Sequence, residues 1–118
     1  MNSKFRTNRH YLEDILFSIE RIEEYIENHS YNSFISDQKT IDAVIRNFEI
    51  IGEASKNIDS SVKLKFDKLP WDEMYYLRNK VSHAYFGIDY EIIWDIAMNY
   101  LPENKLQIEG ILTDKSIF

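Results

Sequence analysis

Apolar residues recur along the first half of the chain with the period of the α-helix. Two stripes repeat at intervals of three or four residues, with one adjacent pair in each: Leu12, Ile15, Leu16, Ile19, Ile22 and Ile26 in the first, and Ile41, Val44, Ile45, Phe48, Ile51, Ser55 and Ile58 in the second. This spacing predicts two long amphipathic helices that each bury one face. Residues 29–32 break the pattern, and Ser36 or Asp37 is the predicted N-cap of the second long helix.

A short helix and a third main helix are predicted next. Residues 59–68 have the pattern of a short irregular helix, and Pro70 precedes a third main helix over about residues 71–82. The residues of this third helix that should face the core are Trp71, Met74, Leu77 and Val81.

A fourth helix is predicted over about residues 90–101. Gly87 and Asp89 should end the preceding loop and cap this helix. Its predicted inner face consists of Ile92, Ile93, Ile96, Ala97 and Tyr100. Pro102 should kink or restart the helix, because proline lacks a backbone donor and clashes with the preceding turn. The chain is therefore predicted to be one all-α domain over residues 1–118, an up-and-down bundle of four to five helices.

Composition narrows the chemistry that this domain can perform. The 118 residues include no cysteine, which excludes disulfides and thiolate catalysis. The histidines, His10, His29 and His83, lie far apart without metal-ligand spacing, so neither a metal nor another cofactor is expected. No apolar run approaches membrane-spanning length, and the N-terminus lacks the apolar region of a secretory signal. A cytoplasmic location is expected.

The charge is distributed unevenly. The whole chain carries a net charge of −6, which argues against a broad nucleic-acid-binding surface. Residues 63–83 form a basic window, in which Lys63, Lys65, Lys68, Arg78 and Lys80 outnumber Asp67, Asp72 and Glu73. An anion site is therefore expected in this window, although a solvated face is the commoner explanation of such a run.

The stretch RNKVSHAY, residues 78–85, gathers a cation, an amide, an imidazole and a phenol. On a continuous helix Arg78 and His83 point about 140° apart, so they share a site only if the helix ends near Ser82 or a second chain contributes its copy. Plain structural roles remain open at this point. The histidine suits a helix end, the arginine can pair with a nearby carboxylate, and Tyr85 can pack in the core.

Three blocks of the sequence resemble the HepT-like family, the HEPN-fold toxins of toxin–antitoxin pairs. RNKVSHAY is similar to the family's R-x4-H-x-Y motif, with Arg78, His83 and Tyr85 in the motif positions and a polar Asn79 after the arginine. The motif lies within LPWDEMYYLRNKVSHAYFGIDYEIIW, residues 69–94, whose other positions match the family in order and spacing. IIGEASKNI at residues 50–58 and the opening RHYLEDILFSIERIEEY at residues 9–25 are also similar to the family. The resemblance covers about residues 9–101.

The resemblance implies a metal-independent endoribonuclease that acts as a homodimer, the toxin component of a type VII toxin–antitoxin system. In that role Arg78 and His83 are catalytic, and Asn79, Lys80, Ser82 and Tyr85 support catalysis or RNA binding. The family also implies that an MNT-type nucleotidyltransferase antitoxin silences the toxin by adding AMP to Tyr85.

Two other interpretations remain at this stage. One is a non-catalytic HEPN module that binds a nucleotide or a nucleotidyltransferase partner. The other is a structural bundle without an anion site.

Overall fold

The computed structural model describes residues 7–77 and 89–114, and every regular element in these two ranges is helical. The first four helices are α1 (Asn8–Ile26), α2 (Tyr31–Ile35), α3 (Gln38–Lys56) and α4 (Ser60–Lys65). Residues 71–77 are helical and are called α5. They are followed after the gap by α6 (Tyr90–Asp95), a π-helical turn (Ile96–Tyr100) and α7 (Leu101–Leu112). The predicted all-α class is confirmed.

The centre of the bundle is the contact of α1 with α3, and α7 covers a further side of α1. The start of α1 meets the chain just beyond α3, where the Asn8 side chain donates to Asp59 and accepts from its backbone N–H, at 3.0 and 2.9 Å. Near the other end of α1, the Lys105 ammonium of α7 lies 3.0 Å from the Glu23 carboxylate. These contacts make α1 antiparallel to both helices.

The two predicted apolar stripes form the core. Every member of both stripes is buried except Leu16, which is partly buried against the core. Two polar residues of α3 are also buried. Ser55 donates its hydroxyl to the Ile51 carbonyl at 2.7 Å, and Asn47 donates its amide to the Ala43 carbonyl at 2.9 Å. Bonds of this kind to the preceding turn lower the cost of placing polar side chains in an apolar interface.

The predicted break at residues 29–32 is only half correct. Residues 27–30 do end α1, but Tyr31 and Asn32 begin the short helix α2. Ser30 is its N-cap and accepts from the Ser33 N–H at 3.2 Å, while the Ser33 hydroxyl accepts from the Ser30 N–H at 2.9 Å. This reciprocal capping satisfies two backbone donors that a five-residue helix otherwise leaves unpaired.

The predicted restart at Pro102 is confirmed, and its form is a π-helical turn. The Leu101 N–H donates to the Ile96 carbonyl five residues earlier, and α7 then continues to Leu112. The wider turn fits the physics of proline, whose ring collides with the carbonyl four residues back and whose nitrogen donates nothing. The predicted inner face is partly wrong, because Ile92 and Tyr100 are 45% and 55% exposed.

The third main helix is confirmed over the residues that the structure describes. Trp71, Met74 and Leu77 are buried as predicted, and Val81 lies outside the described ranges. Within residues 7–77 and 89–114, every helix is too short or too polar to span a bilayer.

Candidate functional site

The predicted site residues, Arg78, Asn79, Lys80, Ser82, His83 and Tyr85, lie outside the described residues, between Leu77 and Asp89. Their roles therefore stay predictions. The structure does describe the helices on both sides of this segment, and these flanks determine where the segment begins and ends.

The chain leading into the motif is held by Trp71. Its indole N–H donates to the Phe66 carbonyl at 3.0 Å, and its backbone N–H donates to the Leu69 carbonyl at 2.9 Å. Trp71 as a whole is 7% exposed. A buried indole that closes the preceding turn fixes the start of α5 in two ways, through burial of a large apolar surface and through hydrogen bonds that water cannot easily replace. Nearly two turns later, Leu77 is buried directly before Arg78.

The chain leaving the motif is held by Asp89 and Trp94. Asp89 is the N-cap of α6, as predicted, and accepts from the Ile92 N–H at 3.3 Å. Trp94 packs on α2, with its ring centroid 5.1 Å from that of Phe34 and 6.3 Å, edge to face, from that of Tyr31. Aromatic pairs in this range are attractive beyond their buried area. The short helix α2 therefore braces the helix that follows the motif.

Two acidic residues act on the same aromatic cluster. Partial burial raises the pKa of the Tyr31 phenol, and the nearby Glu91 and Asp89 carboxylates raise it further. The phenol therefore stays protonated. Asp89 and Glu91 also make the chain leaving the motif acidic.

The basic residues that the structure describes lie ahead of α5. Lys63 and Lys65 belong to α4 and Lys68 to the turn after it, where Lys65 and Lys68 are exposed and Lys63 is partly exposed. The Lys65 ammonium lies 5.8 Å from the centre of the Phe66 ring. This cluster is at the start of α5, and the predicted catalytic residues begin at its other end, about 10 Å along the helix axis.

A groove of about 420 Å³ opens beside the point where α5 leads into the motif. Its walls come from α5, from α6 with the π-helical turn, and from α7, and its lining consists of Pro70, Glu73, Met74, Leu77, Ile92, Asp95, Ile96, Tyr100, Leu101 and Asn104. The sequence pattern did not identify this groove. The only trace of the groove in the sequence is the apolar pair Ile92 and Tyr100. The helical period placed both residues in the core, but the structure places them in the lining of an open groove.

The residues that the structure describes contain no preassembled metal site. Within them, no three His, Asp or Glu side chains are grouped so that they could hold a metal ion.

An all-α bundle in which the sequence R-x4-H lies between two helices that each carry a packed tryptophan is the architecture expected of a HEPN-like domain. Residues 15–111 match the family described as Ribonuclease HepT-like, and the chain belongs to this family.

Three relatives align with most of the chain. The probable ribonuclease HepT of Thermococcus cleftensis is 44% identical over 106 residues, which cover 90% of this chain and 96% of the relative. A candidate RNase of Methanocaldococcus jannaschii is 43% identical over 106 residues, covering 90% and 88% of the two chains. A candidate RNase of Caldanaerobacter subterraneus subsp. tengcongensis is 39% identical over 107 residues, covering 91% and 96%. No solved structure gives a significant match.

Proposed function

We propose that the protein is a metal-independent endoribonuclease, the toxin component of a type VII toxin–antitoxin system, and that it acts as a cytoplasmic homodimer. The observation that carries this proposal is the match to the Ribonuclease HepT-like family over residues 15–111, which includes the complete R-x4-H-x-Y motif at residues 78–85. The described flanks support it, because buried residues anchor the helices on both sides of the motif, Leu77 in α5 and Ile93 in α6.

The residue types suit cleavage of RNA through its own 2′-hydroxyl. In this reaction the 2′-oxygen attacks phosphorus and the 5′-oxygen leaves, so one proton is removed and another is delivered. Histidine titrates near neutral pH and can perform either step. One chain supplies one such group, His83, whereas a two-fold dimer supplies two. Arg78 is always charged and fork-shaped, which suits the charge that develops on the phosphorane.

Three neighbouring residues would support this chemistry. Asn79 and Ser82 would donate hydrogen bonds to phosphate or orient the imidazole, and Lys80 would add positive potential. Tyr85 would position the RNA or stack on a base.

Tyr85 would also be the point of regulation. An MNT-type nucleotidyltransferase would transfer AMP from a nucleoside triphosphate to the phenol oxygen, with release of pyrophosphate. The added group is bulky and anionic and would stand beside Arg78 and His83, where RNA phosphate is expected to bind. Like charge and volume would then exclude the substrate.

The catalytic assignment is tested by incubating the purified chain with RNA in EDTA. Wild type should cleave and leave 2′,3′-cyclic phosphate ends, because the 2′-oxygen is the nucleophile. His83→Ala and Arg78→Ala should each lose at least about 100-fold in rate, the usual contribution of a general acid–base or an electrostatic group.

Two matched variants control for nonspecific effects. Arg46→Ala removes an exposed arginine of α3, and His10→Ala removes an exposed histidine at the start of α1. Both should cleave at the wild-type rate. Unchanged cleavage in His83→Ala would overturn the catalytic assignment. Absence of cleavage in both the wild type and His83→Ala would leave a non-catalytic module that binds a nucleotide or a nucleotidyltransferase partner.

A further inference from the structure

The groove between α5, α6 and α7 opens at the entrance to the motif. Leu77 lines it, and the Cα atom of the next residue, Arg78, is about 3.8 Å further along the chain. If Arg78 binds the scissile phosphate, a base attached to a neighbouring sugar is within reach of the groove. The volume of about 420 Å³ is also within the range of small-molecule sites.

The lining of the groove fits a flat apolar group better than a phosphate. Met74, Leu77 and Leu101 are buried beneath it, while Tyr100 stands 55% exposed at its edge. No cation is among the lining residues that the structure describes. Two carboxylates, of Glu73 and Asp95, are there instead. Among these described residues a phosphate would meet like charge, whereas an aromatic ring can cover the apolar floor and stack on the phenol.

The polar groups of the groove are predominantly acceptors. Asn104 is 7% exposed and lines the groove; its amide N–H donates to Gln107 at 3.3 Å, and its amide oxygen accepts no hydrogen bond from the described residues. Asp95 accepts from the Asn99 amide at 2.6 Å through one oxygen, which leaves the second for a ligand. Acceptors of this kind pair with N–H groups on a base edge.

We propose that this groove is a base-recognition pocket, which binds the nucleobase next to the scissile phosphate and prefers bases with an exocyclic amino group. Adenine, cytosine and guanine carry such a donor and uracil does not. The phenol of Tyr100 stacks on the base, and the oxygens of Asp95 and Asn104 accept from its amino group. Recognition of unstacked bases by aromatic stacking and edge hydrogen bonds is the usual mode for single-stranded RNA. This inference rests on the proposed function.

Binding in a background that cannot cleave tests the pocket apart from catalysis. Four fluorescent single-stranded RNA oligomers, identical except for one A, C, G or U, are titrated into full-length His83→Ala. The A, C and G oligomers should bind about tenfold more tightly than the U oligomer, the discrimination typical of one good base contact. Adding Tyr100→Ala should weaken binding of all four by about tenfold, and adding Asp95→Asn should remove the preference.

Two variants outside the groove are the matched controls. Met98→Ala removes a 45% exposed side chain from the same π-helical turn, and Glu91→Gln removes an exposed carboxylate from α6. Neither side chain lines the groove, so affinity and preference should stay at the values of the His83→Ala parent.

The outcomes separate this inference from the proposed function. Tighter binding of the A, C and G oligomers, with weaker binding of all four in Tyr100→Ala and no preference in Asp95→Asn, supports the pocket, even if the wild type fails to cleave RNA and the nuclease proposal falls. Equal affinity for the four oligomers, or a preference that survives both changes, overturns the pocket even if RNA is cleaved. A Tyr100→Ala variant that sediments as a smaller species than its parent shows a subunit contact at the groove, and this also overturns the inference.

Discussion

Asp37 determines where α3 begins through one carboxylate with several partners. Its side chain accepts from the Thr40 N–H at 3.2 Å and from the Thr40 hydroxyl at 2.8 Å. The His29 ring nitrogen lies 3.6 Å from the second carboxylate oxygen. The Thr40 hydrogen bonds, helped by His29, lower the pKa of Asp37 below its usual range. An N-cap carboxylate also interacts favourably with the positive end of the helix dipole.

This lowered pKa gives the folding stability a defined dependence on pH. Because the folded state binds the proton of Asp37 less tightly than the unfolded chain does, the ionised group stabilises the fold above the unfolded pKa of about 3.9. The contribution is lost as the pH falls through the lower folded value. Asp37→Asn keeps a good cap without the charge, so wild type should be the more stable at pH 7, with the difference shrinking toward pH 3.

Urea unfolding at the two pH values measures this difference. Asp67→Asn, at an exposed position in the turn after α4, reports the general effect of removing one carboxylate. A gap between wild type and Asp37→Asn that is equal at pH 7 and pH 3 would contradict the assignment.

At the scale of whole elements, α2 connects the core to the exit of the motif. Phe34 is fully buried and packs on Trp94 of α6, while Ile35, the next residue, is 38% exposed. Phe34→Ala should cost about 3–5 kcal/mol of unfolding free energy, the usual range for a buried aromatic side chain. Ile35→Ala is the matched control in the same helix and should cost much less.

The same pair of variants tests whether α2 positions the motif. At a temperature where both remain folded by circular dichroism, Phe34→Ala should lower the RNA cleavage rate while Ile35→Ala leaves it unchanged. The physical reason is that removing the ring loosens the start of α6, to which the motif segment is attached. Equal cleavage rates in the two folded variants would limit α2 to a structural role.

The sequence predicted some elements better than others, for identifiable physical reasons. Long helices such as α1 and α3 show their buried face directly, because burial repeats with the helical period over five turns. The five-residue α2 is too short to show a period, and only its capping serine marks it. The π-helical turn changes the angular phase of the residues toward its end, so Tyr100, its last residue, did not fall on the face that a regular helix predicts.

The candidate site was predictable in part. The motif and its flanking caps are local, so Pro70, Trp71 and Asp89 could be identified from the sequence alone. The groove depends on how α5, α6 and α7 pack together, and a one-dimensional pattern does not contain that arrangement. Apolar periodicity shows which residues avoid water. It does not distinguish a residue that packs against the core from one that lines an open groove.

For the whole molecule, net charge and assembly impose linked requirements on the proposed nuclease. A chain with a net charge of −6 gains little long-range attraction for RNA, so binding must rely on local cations. The basic window of one chain, residues 63–83, holds five Lys and Arg side chains. Each chain also supplies a single motif histidine. A two-fold pairing near residues 63–83 would double both the local positive charge and the number of imidazoles.

The dimer is tested by mixing chains. Sedimentation at micromolar concentration should give a dimer for the wild type and for His83→Ala. After subunit exchange with a ninefold excess of His83→Ala chains, most wild-type chains sit in mixed dimers that hold one imidazole. Activity per wild-type chain should then fall about tenfold if both imidazoles are needed. The same excess of an inert protein should change nothing. A monomeric wild type, or full activity in the mixture although subunits have exchanged, would show that each chain cleaves RNA alone and that a composite site is wrong.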